Sequence, residues 1–200
     1  TSLSLSPAEN ACTCSHLLAA RHLLEKTSET HVLIFEDDVS FAFLELIPYS
    51  WTQFTSHLPE NWQMVQLAVT TESGSPPCHL VSITPASKHY CSAAYLLSRS
   101  GAEYLLNTYW PSAGEKINLQ DQEHVTADSM IASIPHSFSI PLFSYETMDS
   151  VIHPNHLYIH NRAKYHQYIA WECFQIEYQR ASRDGNGEDF LTDYFGRFSR

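Results

Sequence analysis

Positively charged residues are scarce in this chain of 200 residues, which has 11 Lys and Arg against 22 Asp and Glu. The formal net charge is −11. A nucleic-acid-binding surface needs clustered Lys and Arg to displace counterions from phosphates, so no nucleic-acid partner is expected. For the same reason, a ligand that carries phosphate would need a metal ion or a few well-placed cationic side chains to balance its charge.

Long hydrophobic runs are also absent. No apolar stretch approaches the ~18 residues that a transmembrane helix needs, so the sequence predicts no membrane span. The first residues, Thr1-Ser2-Leu3-Ser4-Leu5-Ser6, lack the charged and apolar regions of a signal peptide. The five cysteines are odd in number and have no Cys-x-x-Cys spacing, which favours reduced thiols and a cytoplasmic location.

The composition that remains is that of a globular protein, with 44% hydrophobic and 12% aromatic residues. The length suits one domain with a core of its own. We predict a catalytic domain over residues 1–180 and a C-terminal tail or linker over 181–200. The chain is expected to be a monomer or part of a larger multidomain chain.

Helix and strand signals alternate along the chain. Ser6-Pro7-Ala8-Glu9 combines a Ser cap, an early Pro and a Glu three residues after the cap, which predicts a helix running to about Lys26. Ser100-Gly101-Ala102-Glu103 repeats the capping signal, and Thr126 can cap a short helix over 127–133. A long helix over about 157–180 is predicted to pack four side chains into the core: Tyr165, Tyr168, Ile169 and Ile176. This order predicts an α/β fold with a mixed, mostly parallel sheet flanked by helices.

The most informative stretch is His31 to Val39. Val32-Leu33-Ile34-Phe35 is too short for a helix and is typical of a buried strand. Glu36, Asp37 and Asp38 follow where that strand would leave the sheet, at the edge where open α/β sheets bind ligands. Three adjacent carboxylates repel one another and would be neutralised by a divalent cation. The alternative is a solvated acidic turn.

Four stretches in this order resemble the family 25 glycosyltransferases, which include lipopolysaccharide and collagen galactosyltransferases. Glu9 to Leu18, with Cys14-Ser15-His16, is similar to the family's Cys-x-x-Ser-His helix, with the Cys nearer than usual. Leu33 to Val39 is similar to its acidic metal motif, and Ala94 to Ala102 to its strand-to-helix segment. Residues 127–130, 138–143 and 150–152 resemble its acidic helix and closing strand. The Ser-Pro-Ala-Glu-Asn start also resembles glycosyltransferase domains of large algal viruses, which would imply the host cytoplasm.

The resemblance implies a GT-A fold, which is Rossmann-like. It also implies transfer of a hexose (galactose, glucose or rhamnose) from a UDP-sugar to a hydroxyl of a glycan or glycoprotein acceptor, with Mn²⁺ or Mg²⁺ as cofactor. By analogy with that fold, Asp38 is expected to bind the metal and Asp37 to orient water or the donor ribose. Glu36 is expected to hold these two side chains in position without binding the metal itself.

Two further roles follow from the same resemblance. A histidine beyond the last strand would be a second metal ligand, and His153 is the first choice, ahead of His156 and His160. The spacing of His156 and His160 could instead hold zinc, although no third ligand is evident. Asp128 would be the base that accepts the proton of the acceptor hydroxyl. Its alternative is stabilisation of a helix amino terminus.

The remaining candidates come from position and charge. Asp121 and Glu123 are reserves for the base. Arg99 and Lys88 could offset diphosphate charge or be ordinary surface side chains. Gln66 lies on a central strand and could face the donor sugar.

Two other classes of function remain open on the sequence. A metal-dependent phosphohydrolase would use the same acidic strand end to activate water. A sugar-binding module without turnover is the other alternative.

Overall fold

The computed structural model describes residues 5–47, 49–71, 79–112, 114, 116–119, 122–145 and 157–183. Its α-helices are α1 (Pro7–Lys26), α2 (Trp51–Ser56), α3 (Arg99–Tyr109), α4 (Ala127–Ala132) and α5 (Leu157–Arg183). Its strands are β1 (His31–Phe35), β2 (Val39–Ser40), β3 (Met64–Gln66), β4 (Thr70–Thr71), β5 (Val81–Ile83), β6 (His89–Tyr90), β7 (Ala94–Ser98), β8 (Ser137–Ser139) and β9 (Ser144–Tyr145). Across these ranges, no helix combines the length and the apolar character needed to cross a membrane.

The main sheet has five strands in the order β1-β7-β3-β8-β5. The α/β class and the mixed sheet are therefore confirmed. The prediction of a mostly parallel sheet is wrong for the described strands, because only β3 and β8 pair in parallel and the other three neighbours are antiparallel. The cause is β7, which lies between β1 and β3 and runs opposite to both. Nevertheless β1, β3 and β8 share one direction, so their carboxyl ends lie at the same edge.

Helices cover both faces of this sheet. Successive side chains of β3 point to opposite faces. Met64 packs with α1, α3 and α4, whereas Val65 packs with α2 and α5. On β7, Tyr95 and Leu97 join the first layer and Leu96 the second. This two-residue alternation is what a sheet buried on both faces requires. The remaining strands form two small sheets, β2 with β9 and β4 with β6.

Helix starts follow local capping chemistry. In α1 the Ser6 hydroxyl accepts from the Glu9 backbone N–H and the Glu9 carboxylate accepts from the Ser6 backbone N–H, which confirms the predicted capping box. The short helix α4 begins after Thr126 as predicted. Helix α3 begins two residues earlier than predicted, because its cap is Ser98 rather than Ser100, and the Ser98 hydroxyl accepts from the Gly101 backbone N–H.

The buried face of α5 differs from the prediction. Tyr165 and Ile176 are 64% and 51% exposed, and Tyr168 is also exposed. Another face of the helix packs into the core instead, through Ala163, Gln167, Ala170, Trp171 and Phe174. Aromatic residues occur all round this helix, so the helical period in the sequence fits more than one face.

Candidate functional site

The acidic stretch leaves the sheet at the carboxyl end of β1. The Glu36 backbone N–H continues the ladder by donating to the Ala93 carbonyl at 2.8 Å, and the Val39 N–H returns to the Glu36 carbonyl at 3.4 Å. Within this tight turn Asp37 is exposed, whereas Glu36 and Asp38 are half-buried. The solvated-turn alternative therefore describes Asp37 only, since its two neighbours turn towards the protein.

Glu36 is held by two side chains from other elements. Its Oε1 lies 3.1 Å from Nε2 of His16 on α1 and accepts from the Ser92 hydroxyl at 2.6 Å. Burial works against ionisation, but the hydrogen bonds from His16 and Ser92 outweigh it, and the pKa of Glu36 is lowered. Glu36 is therefore an ionised anchor in the middle of a polar network.

The network continues from His16 into the core. His16 Nδ1 lies 2.9 Å from the hydroxyl of Tyr95, a fully buried side chain on β7. Burial raises the pKa of Tyr95 well above its ordinary value, so this hydroxyl keeps its proton and donates it. In the tautomer that fits both contacts, His16 accepts at Nδ1 and donates from Nε2 to Glu36, as assigned from the hydrogen bonds.

Asp38 has the opposite environment to Glu36. Its Oδ1 is buried and has no hydrogen-bond partner among the described residues. Burial, and then the negative charge of Glu36, raise the pKa of Asp38 to about 6. An unpartnered carboxylate oxygen in a negatively charged place is a site that a cation would stabilise. The oxygen donors here fit the hard divalent ions Mn²⁺ and Mg²⁺.

Asp128 joins the same cluster from α4. Ser92, whose hydroxyl donates to Glu36, also lies next to the Asp128 carboxylate and acts to lower its pKa. Burial and the charge of Glu36 nevertheless raise its pKa. Ser92 thus stands between Glu36 and Asp128, and the structure brings together the two acidic segments that the sequence placed about ninety residues apart.

Two predicted ligand-binding residues have other roles. Gln66 is buried and donates from Nε2 to the carbonyls of Tyr90 and Cys91, at 2.7 and 2.8 Å, so its amide holds the segment before β7 rather than facing a sugar. Arg99 lies at the other end of β1 from Glu36, since its N–H donates to the Thr30 carbonyl. Its guanidinium donates to four carbonyls at the end of α1 and beyond, those of Leu23, Leu24, Thr27 and Glu29. These contacts hold the guanidinium at the end of β1 opposite to the acidic cluster, and the role of Arg99 in offsetting diphosphate charge stays a prediction.

Other candidates fall outside the cluster or outside the described residues. The predicted metal ligand His153 lies in a segment that the structure does not describe, as do His156 and Asp121. The side chain of His160 is likewise not described. Glu123 is exposed, and Lys88 is an exposed residue with a positive φ of 54° in the turn before β6.

Sequence reasoning missed Cys12, Ser92 and Tyr95 and gave His16 no role of its own. Cys12, His16 and the predicted Glu36 each offer a ligand atom, and these three atoms lie within 4.8 Å of one another. The spacing of Cys12 and His16, four residues apart on α1, was a signal that could have found this group. Ser92 and Tyr95 carried no such signal, because only the pairing of β7 with β1 brings them to the carboxylates.

Comparison of this chain with family models, curated proteins and solved structures gives no match. The resemblance to family 25 glycosyltransferases therefore stays a prediction, and the case for function depends on the geometry of the cluster.

Proposed function

We propose that this protein is a metal-dependent hexosyltransferase that uses a UDP-sugar as donor and a hydroxyl of a glycan or glycoprotein as acceptor. The observation that carries the proposal is the buried, unpartnered Oδ1 of Asp38 beside Glu36, in the same cluster as Asp128. The proposal includes a GT-A-like fold, with its site at the sheet edge where β1 ends.

The three carboxylates divide the work by their environments. Asp38 would hold Mn²⁺ or Mg²⁺, which when bound would neutralise charge on the leaving diphosphate. Glu36, ionised and fixed by His16 and Ser92, keeps the turn in place. Asp37 is exposed at the tip of the turn, where it can reach the donor ribose or a water molecule.

Asp128 would accept the proton of the acceptor hydroxyl. A base works best when its pKa is near the working pH, and the raised pKa of Asp128 moves it in that direction. The placement of Asp128 at the start of α4 is compatible with this role and with stabilisation of the helix end.

The metal and donor site is tested by calorimetry with UDP in the presence and absence of Mn²⁺. Asp38→Asn should abolish the Mn²⁺-dependent part of UDP binding. Glu29→Gln is the matched control, because it removes one negative charge from the opposite end of β1, where Glu29 is exposed. Unchanged Mn²⁺-dependent binding in the Asp38 variant would contradict the assignment.

The reaction is tested with UDP-hexoses, Mn²⁺ and a panel of glycan acceptors. Transfer, or slow hydrolysis of the donor to free hexose, supports a transferase. Release of inorganic phosphate would mean a phosphohydrolase, and binding without turnover would mean a sugar-binding module. Asp128→Asn should spare UDP binding and lower transfer about 10²–10⁴-fold, the usual contribution of a general base. Turnover that survives this change would refute the role of Asp128.

A further inference from the structure

Two side chains of a kind that binds zinc lie on one face of α1. Cys12 and His16 are four residues apart, so their side chains lie one above the other along the helix. Glu36 meets them from the end of β1, and one ligand atom of each residue lies within 4.8 Å of the other two. Cys12 and Glu36 are half-buried and His16 is buried. The group therefore joins two elements at the same sheet edge.

The spacing of these atoms suits a tetrahedral ion. Zinc–nitrogen and zinc–oxygen bonds of about 2.0–2.1 Å place two tetrahedral ligand atoms about 3.3 Å apart. His16 Nε2 and Glu36 Oε1 are already 3.1 Å apart. With a zinc–sulfur bond of about 2.3 Å, the sulfur of Cys12 should lie about 3.6 Å from either atom. The observed limit of 4.8 Å leaves only a small side-chain adjustment.

Each of two ligands has a partner that fixes its orientation. Metal-binding histidines usually hydrogen-bond through their second ring nitrogen, and ligating carboxylates are usually hydrogen-bonded as well. Here His16 Nδ1 lies 2.9 Å from the buried Tyr95 hydroxyl, and Glu36 accepts from the buried Ser92 hydroxyl at 2.6 Å. An ion bound at Nε2 requires the tautomer with the ring proton on Nδ1, which would then donate to the Tyr95 oxygen.

We propose that Cys12, His16 and Glu36 form a Zn²⁺ site with three protein ligands and an open fourth position. The sulfur and nitrogen donors favour zinc over Mn²⁺ and Mg²⁺, which prefer oxygen. The site is separate from the ion proposed at Asp38, and it does not rest on the proposed transferase activity. The bound ion would also join α1 to β1. Because zinc would bind only the folded protein, adding it should raise the melting temperature by mass action.

The charge around the group favours a cation as well. Three carboxylates, those of Glu36, Asp128 and Asp38, lie close enough to Cys12 to act on its thiol. A divalent cation at the group would offset part of their negative charge.

The test uses Co²⁺ alone, added to the metal-free full chain, as a spectroscopic substitute for zinc. We expect one Co²⁺ per chain, visible d–d bands of a tetrahedral ion and a sulfur-to-cobalt charge-transfer band. Cys12→Ser should remove the charge-transfer band. Cys14→Ser, a matched control on another face of the same helix, should keep it. A missing band in the unmodified protein, or one that survives Cys12→Ser, would overturn the proposal.

Histidine variants test the second ligand. His16→Ala should weaken Co²⁺ binding by at least about tenfold, because removing even a group that only supports a metal ligand typically lowers metal affinity by that factor. His22→Ala, an exposed histidine of the same helix, should not change it. Equal effects of the two variants would overturn the site.

A measurement without variants covers the case in which Cys12→Ser does not fold. X-ray absorption of the zinc-loaded protein should show one sulfur at about 2.3 Å with nitrogen and oxygen ligands at about 2.0 Å. A shell without sulfur would refute the proposal. Asp38→Asn separates the two metal sites, since it should keep the cobalt–sulfur band while abolishing Mn²⁺-dependent UDP binding.

Discussion

Replacing Arg99 with methionine should destabilise the protein without changing its affinity for UDP. The guanidinium donates four hydrogen bonds of 3.0–3.2 Å to carbonyls at and beyond the end of α1. Carbonyls at the end of a helix lack the usual partners within the helix, and a cation there also offsets the helix dipole. The Leu23 carbonyl accepts from the Thr27 hydroxyl as well. Methionine keeps much of the apolar stem and removes all of these donors.

The size of the effect follows from these contacts. Hydrogen bonds from a charged donor contribute about 1.5–3 kcal/mol each when buried, but four from one half-exposed group are not additive. We expect a total loss of about 2–3 kcal/mol. At about 2–4 °C per kcal/mol for a domain of this size, the melting temperature should fall by about 5–10 °C.

Thermal unfolding and UDP calorimetry on the same samples give the result. Lys26→Met is the control, because Lys26 is an exposed cation in the last turn of α1 whose dipole interaction is worth only about 0.3–1 kcal/mol. An unchanged melting temperature together with a loss of UDP affinity would refute the capping role. That pair of results would restore Arg99 as a diphosphate ligand.

Three further changes test the packing and the electrostatics. Gly101→Ala should lower the stability by about 1–3 kcal/mol in chemical denaturation, because a Cβ would lie 2.4 Å from the Gln63 carbonyl oxygen, whereas Gly114→Ala meets nothing within 4 Å and should be neutral. In metal-free buffer Asp38→Asn should match the parent near pH 4 and exceed its stability by about 1–2 kcal/mol above pH 6, since a folded pKa raised from 3.8 to about 6 makes ionisation oppose folding. Glu36→Gln should show the opposite sign, with a stability loss at pH 7 that disappears as the pH falls below the lowered pKa of Glu36. A pH-independent difference for either carboxylate would contradict the assigned environments.

The features that local chemistry determines could be predicted from the sequence. The start of α1 depends on Ser6 and Glu9, three residues apart, and both contacts form as expected. The strand before Glu36 is short, apolar and followed at once by charge, so the sequence could predict where it lies and where it ends. Thr126 before α4 is a third case, and it correctly placed Asp128 in the first turn of a helix.

Features that depend on strand pairing could not be predicted in the same way. A run of apolar residues indicates a strand but does not say which neighbour it joins or in which direction. The insertion of antiparallel β7 beside β1 is what brings Ser92 to Glu36 and carries Arg99 to the far end of the strand. The same register explains the contacts of Gln66, whose buried amide donates to the carbonyls of the segment that leads into β7.

The environments of the three carboxylates decide how the cluster can work. If all were equally solvated, Glu36, Asp38 and Asp128 would all be ionised and would repel one another. Instead, His16 and Ser92 lower the pKa of Glu36, while burial and then the retained charge of Glu36 raise the pKa of the other two. One fixed anion thus leaves Asp38 able to give up a proton when a cation binds, and makes Asp128 a stronger base. Loss of the His16 hydrogen bond should therefore make Glu36 harder to ionise and lower the part of the Asp38 pKa shift that comes from the charge of Glu36, while the part due to burial remains.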